Sequence, residues 1–306
     1  MKITAAFAIL SLALSCASSA YADTFGSGDD TFDIEFITIG NPGNADDTTG
    51  EPNPAGKVDE TYRIGKFEVS EDMINKANTL GSLGITKDTR GPDKPATSVS
   101  WFEAAKFVNW LNTSSGSTAA YKFDGGGNFQ LWQSGDAGFD PANLYRNSLA
   151  IYFLPSVHEW YKAAYYDPNS GVYFDFPTGS DTAPTPVASG TTAGTAVYNG
   201  QAGPADITLV GGLSPYGTAG QGGNVFEWEE TDFDLVNDST SSARGVNGGG
   251  WNVNSGSLLS LLRFSSNPAS GSFDVGFRVA SIPEPSTALL GALASVGVLL
   301  WRRRLS

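Results

Sequence analysis

Glycine is so frequent in this chain that it favours tight turns and loops over a helical bundle. It occurs 37 times in 306 residues, about 12% against a usual ~7%. Each glycine inside a helix or strand costs about 0.5–1 kcal/mol relative to alanine. With aromatic residues at 12%, the composition points to a loop-rich fold with tight turns. No heptad is sustained anywhere, which excludes a coiled coil. The formal net charge is −14. A body that acidic repels phosphate, so nucleic acid is not expected as a partner.

The scarce residues narrow the chemistry. There is one Cys, Cys16, and one His, His158. Neither an intrachain disulfide nor a multi-histidine metal site can be built from them. His158 falls in the first turn of an expected helix, where it reads as a helix-start residue. As a general base it has no visible partner.

Both ends read as addresses. Residues 1–22 have a basic start at Lys2, an apolar run over 3–14, and the small-x-small pattern Ala20-Tyr21-Ala22. That is a secretory signal with the mature chain starting at Asp23. The alternative is a lipoprotein signal with Cys16 lipidated, for which Leu14 is too bulky. The C-terminus runs Pro283-Glu284-Pro285, an apolar stretch over 288–301, then Arg302-Arg303-Arg304. The stretch is shorter than the ~17–25 residues of a typical span. Its order, apolar run then interfacial Trp301 then basic stop, still favours a membrane segment. The expected division is therefore 1–22 signal peptide, 23–280 a single domain, and 281–306 a sorting and membrane segment.

Three helix starts are visible in the body. Ser70 precedes Glu71-Asp72, a cap followed by acids at the positive end of the dipole. Ser100 to Glu103 and Ser156 to Glu159 are capping boxes. Short β-like runs lie at 32–39, 62–69, 152–154, 195–198 and 276–280. Residues 41–56 and 182–194 read as exposed loops. The sum is an irregular α+β domain.

Several segments, in order, resemble the sulfatase-modifying-factor family, the formylglycine-generating-enzyme-like domains. They are Tyr62-Arg63-Ile64-Gly65-Lys66-Phe67-Glu68-Val69-Ser70, Pro95-Ala96-Thr97-Ser98-Val99-Ser100-Trp101-Phe102-Glu103-Ala104-Ala105, Leu154-Pro155-Ser156-Val157-His158-Glu159-Trp160-Tyr161-Lys162-Ala163-Ala164, Gly222-Gly223-Asn224-Val225-Phe226-Glu227-Trp228, and a close at Arg244 to Trp251 and Gly276-Phe277-Arg278. The resemblance implies an α+β, C-type-lectin-related fold with few helices, short strands and long Gly-rich loops. The C-terminal tripartite end resembles the PEP-CTERM sorting signal of Gram-negative bacteria. That implies an exosortase partner, transient membrane anchoring, and delivery to the cell surface or outside.

The family includes copper oxidases that use two thiols. In this chain those positions fall near Val253 and Leu258, after Gly248-Gly249-Gly250-Trp251, and neither is Cys. No copper or zinc is expected, and no catalytic residue is assigned. The family also binds Ca2+, and the resemblance places candidate ligands at Asn199, Gly223, Val225 and Glu227, with carbonyl oxygens contributing as Ca2+ allows. Gly220 stands where the family often has Asn or Asp, which weakens the site. The alternative is that Glu227 pins a loop and the acids after it form a solvated face. Residues 217–223 have no Lys-Ser/Thr and are a weak phosphate loop.

The leading expectation is an exported, non-catalytic binding or matrix module with a glycan, protein or matrix ligand. The rival is an enzyme of the same superfamily with unassigned chemistry. A third possibility is a scaffold of the extracellular matrix.

Overall fold

The structure is a computed structural model that describes residues 20–283. The expected signal peptide up to residue 19, the apolar run over 288–301 and the terminal arginines lie outside the described residues. No helix among the described residues is long and apolar enough to cross a membrane.

The strands in chain order are β1 (Ala20–Phe25), β2 (Phe32–Ile39), β3 (Tyr62–Gly65), β4 (Lys122–Phe123), β5 (Phe129–Gln130), β6 (Tyr152–Phe153), β7 (Thr185–Pro186), β8 (Thr195–Ala196), β9 (Phe226–Asp232), β10 (Arg244–Asn247), β11 (Phe264–Ser266), β12 (Val275–Gly276) and β13 (Ala280–Ser281). The helices are α1 (Glu71–Gly81), α2 (Trp101–Ser114) and α3 (Val157–Tyr165). Few helices among many short strands is the irregular α+β fold that the composition demanded.

Each helix starts where its cap predicts. Ser70 Oγ accepts from the Met73 amide, and Ser100 and Ser156 form complete capping boxes with Glu103 and Glu159. A buried stripe on α2, including Trp101, Ala104, Val108 and Leu111, faces the core. Trp101 is ringed by Tyr121, Phe129 and Tyr145 at centroid distances of 5.1–6.0 Å.

Two sheets organise the rest. One has the order β1-β2-β3-β13-β6, the other β11-β10-β9-β12. The first holds both ends of the described chain: β1 pairs with β2, and β13 lies between β3 and β6. β1 begins at Ala20, three residues before the expected mature start at Asp23. The expected strand over 62–69 is shorter than its pattern, ending at Gly65. Beyond that point the chain still bonds to its neighbours, with the Val69 amide donating to the Phe277 carbonyl at 2.9 Å.

One loop expectation is corrected. Residues 41–56 are not simply exposed: Asn44, Asp47 and Ala55 are buried. Tyr161 donates to Asp47 Oδ2 at 2.6 Å, and Asn44 Nδ2 donates to the Gly56 carbonyl at 2.9 Å. Local composition announced a loop but could not show that α3 packs against it. The phosphate-loop reading of 217–223 also falls, because a strand, β9, follows it rather than a helix.

Candidate functional site

The sequence singled out Glu227 and the acids after it; β9 carries Glu227, Glu229, Glu230 and Asp232, while Asp234 lies beyond the strand and is exposed. Alternation along a strand sends Glu227 and Glu229 to one face and Trp228, Glu230 and Asp232 to the other. Both faces are covered. Glu227, Glu229 and Glu230 are fully buried and Asp232 nearly so. The expectation of a solvated acidic face is therefore corrected.

Burial of four carboxylates is costly unless each is paired and hydrogen-bonded. Each of them has an arginine. Arg278 donates from Nε to Glu227 Oε2 at 2.6 Å and from Nη2 to Oε1 at 2.5 Å. Arg263 Nε donates to Glu229 Oε2 at 2.9 Å, and Arg146 Nε to Glu230 Oε2 at 2.7 Å. Arg244 lies 3.5 Å from Asp232 and stacks over Trp101 and Tyr145. Gly245 makes one of these pairs possible, since a Cβ there would collide with Glu229 and Arg263.

Glu227 has a third donor, Trp160 Nε1 at 2.7 Å from Oε2. That bond ties β9 to α3, whose Val157 amide also donates to Thr231 Oγ1 at 3.0 Å. Arg146 bridges further, reaching Glu159 of the α3 capping box at 2.9 Å. Burial alone would raise the Glu159 carboxyl, but Arg146 and the Ser156 donors outweigh it and hold it below the usual range.

The expected calcium ligands can now be placed. Gly223, Val225 and Glu227 lie on one run leading into β9. Asn199 is exposed, in a left-handed conformation, with its amide donating to the Val253 carbonyl at 2.7 Å. The fully buried Glu227 faces Arg278 and Trp160 instead. Glu227 does not fit the role of a calcium ligand: an arginine already supplies the cation, and three N–H donors hold its two oxygens. Among the described residues no group of three or more His, Cys, Asp or Glu side chains is placed to hold a metal.

Sequence reasoning missed Glu68, the acid of the segment ending in Val69-Ser70. It is 1% exposed. Its Oε1 accepts from Asn224 Nδ2 at 2.9 Å, while its Oε2 has no partner. Gly220 makes room for it: a Cβ there would lie 2.7 Å from Oε1. Burial, then the nearby Glu227 charge, push the Glu68 carboxyl up to about 7. Glu68 also lines a cleft of about 470 Å3, together with Asp33, Glu35, Phe67, Met73 and Ile207.

His158 is partly buried, with Nδ1 accepting from the Gly56 amide at 3.2 Å. Burial holds its imidazole below the usual value. Val253 and Leu258 pack in a small cluster with Phe176 and Tyr198.

No curated protein sequence matches the chain. Its fold is shared by solved structures that include three similar along nearly their whole length. Treponema denticola variable protein 1 is 19% identical at a TM-score of 0.57, covering 86% of this chain and 99% of that one. CarF is 18% identical at 0.59, covering 82% and 99%. PvdO from Pseudomonas aeruginosa is 16% identical at 0.54, covering 85% and 98%. Residues 281–304 match the PEP-CTERM protein-sorting motif, which implies export, sorting by an exosortase and processing at a C-terminal membrane anchor. Residues 37–282 match the sulfatase-modifying factor enzyme 1-like domain, and with that match over most of its length the chain belongs to this family.

Proposed function

We propose that this is a cell-surface or extracellular binding module that engages polysaccharide or matrix and performs no catalysis. The reading rests on one observation: every acid of β9 already holds an arginine. The charged residues of the family signature thus act as architecture. Val253 and Leu258, apolar and packed where the family places its thiols, support the same reading. The sorting motif supplies the destination. Signal cleavage after Ala22 and loss of the C-terminal tail complete the route.

The test uses the exported protein. It should co-sediment with exopolysaccharide from the producing cells and should not oxidise a cysteine-containing peptide when supplied with Cu(I). Tight copper loading accompanied by thiol oxidation would overturn the proposal. A second reading, an enzyme with Glu68 as general acid or base, draws on the one unpartnered oxygen of its carboxyl and a pKa of about 7. Perturbed carboxylates beside clefts are candidates for such work. It requires an activity that Glu68→Gln abolishes while the fold persists.

A further inference from the structure

A second cleft, about 440 Å3, opens between the start of α2, β5 and the segments that flank β10 and β11. Its size lies within the ~300–1,000 Å3 of small-ligand sites. Its chemistry differs from that of the rest of the molecule. In a chain of net charge −14, no charged side chain lines it. Its lining includes Phe102, Asn128, Phe129, Thr240, Ser241 and Asn267.

Two hydroxyl- and amide-rich segments form its rim. Residues 239–243, before β10, and 265–273, which include the end of β11, contain no charged residue. Pairing of Arg244 with Ser266 across β10 and β11 brings them to one end of the second sheet. Both backbones are anchored from beneath. Tyr145 donates to the Ser239 carbonyl at 2.6 Å, and Arg244 reaches the same carbonyl at 3.2 Å. The Phe102 amide donates to the carbonyl of buried Pro268 at 3.3 Å.

The side chains above this anchored backbone keep spare capacity. Asn267 Oδ1 accepts from the Ala269 amide at 2.9 Å, leaving its Nδ2 as a donor. Asn128 Nδ2 serves Asp124, leaving its Oδ1 as an acceptor. The Thr240 and Ser241 hydroxyls make no hydrogen bond among the described residues. Phe102, half-buried, stacks on Phe129 at 5.7 Å to give an aromatic base.

A fixed backbone, mixed neutral donors and acceptors, and an aromatic face match one ligand chemistry. Sugar hydroxyls both donate and accept, and the C–H face of a pyranose packs on a phenyl ring. We infer that this cleft binds a neutral oligosaccharide stretch. Pre-fixing the lining lowers the ordering cost of association. The inference deepens the proposed function and rests on it.

The probes are soluble gluco-, manno- and galacto-oligosaccharides, with oligogalacturonate as an acidic comparison, titrated calorimetrically into the exported protein. At least one neutral probe should bind, and oligogalacturonate should not. The exposed double variant Thr240→Ala/Asn267→Ala should lose about tenfold or more in affinity, as expected for two hydrogen bonds, with the fold retained, since the one internal bond it gives up, from the Ala269 amide, is on the surface. Glu35→Gln, in the acidic cleft, should bind as wild type. Binding untouched by the double variant would overturn the cleft assignment. Retention of whole exopolysaccharide with no neutral probe bound would also overturn it while leaving the proposed function standing. Binding of a neutral peptide alone at this cleft would refute the sugar ligand. Failure to bind any polysaccharide would sink the broader reading as well.

Discussion

Glu68 stands beside two charges and is neutralised by neither. Arg278 gives its fork to Glu227, so Glu68 keeps only the Asn224 amide and an unpartnered oxygen. Its carboxyl is raised from 4.5 to about 7. A group that binds its proton more tightly when folded stabilises the fold fully below its unfolded pKa. That contribution is lost as pH rises through the folded value. Between pH 4.5 and about 7, Glu68 therefore erodes stability. His158 has the opposite sign: its depressed pKa contributes stability above the unfolded value that is lost as pH falls. Glu68→Gln keeps an acceptor for Asn224 and removes the charge, while His158 is common to both proteins and cancels. The variant should match wild type near pH 4.5 and exceed it at pH 8 by at least ~1 kcal/mol, since one pKa unit is about 1.4 kcal/mol. Urea denaturation at the two pH values checks this. A variant equally weakened at both would show an ionised, well-solvated Glu68.

At the scale of the element, α3 and β9 differ in how much of them the sequence disclosed. A capping box is local: Ser156 and Glu159 lie three residues apart, so the helix start is written in four letters. The fate of the β9 acids is not local. Glu227 finds its arginine 51 residues away, Glu229 34 away, and Glu230 84 away in the opposite direction. No window of neighbouring residues carries that information, and an acidic run by itself looks solvated. Trp160 and Trp228, which stand in the family-like segments, are fully buried. The pairing itself makes a prediction. Removing one partner of a buried ion pair costs about 3–5 kcal/mol, while replacing both is often near neutral. Arg278→Met should thus lose ~3–5 kcal/mol, and Arg278→Met/Glu227→Gln should recover most of it. Wild type should melt alike with Ca2+ or chelator, because the Glu227 oxygens are occupied by N–H donors. A calcium-dependent rise in melting temperature that Glu227→Gln abolishes would contradict this account.

For the whole molecule, the first sheet is where the two addresses meet the fold. Arg63 in β3 donates to both Asp23 oxygens, at 2.9 and 2.7 Å, and from Nε to Ser281 Oγ at 2.9 Å. Tyr152 adds a bond to Asp23 at 2.9 Å. One arginine thus fastens both the expected first mature residue and the strand that runs into the sorting motif. Termini fray unless tied down, and these ties are largely buried, at 7% and 13% side-chain exposure for Arg63 and Asp23. Cleavage after Ala22 removes half of β1 but spares the residue that carries the fastening. A chain starting at Asp23 should therefore melt close to one starting at Ala20, while Asp23→Asn in the shorter chain should lose about 1–3 kcal/mol, the cost of weakening a buried charge-assisted bond. Hydrogen exchange gives the sharper readout. In Asp23→Asn the amides of β1 and β13 should exchange faster, because Arg63 loses the carboxylate that holds it in place to bond Ser281. Those of β9, held by Arg278, Arg263 and Arg146, should not change. Uniform acceleration across both sheets would mean that Asp23 supports the whole core rather than its two ends.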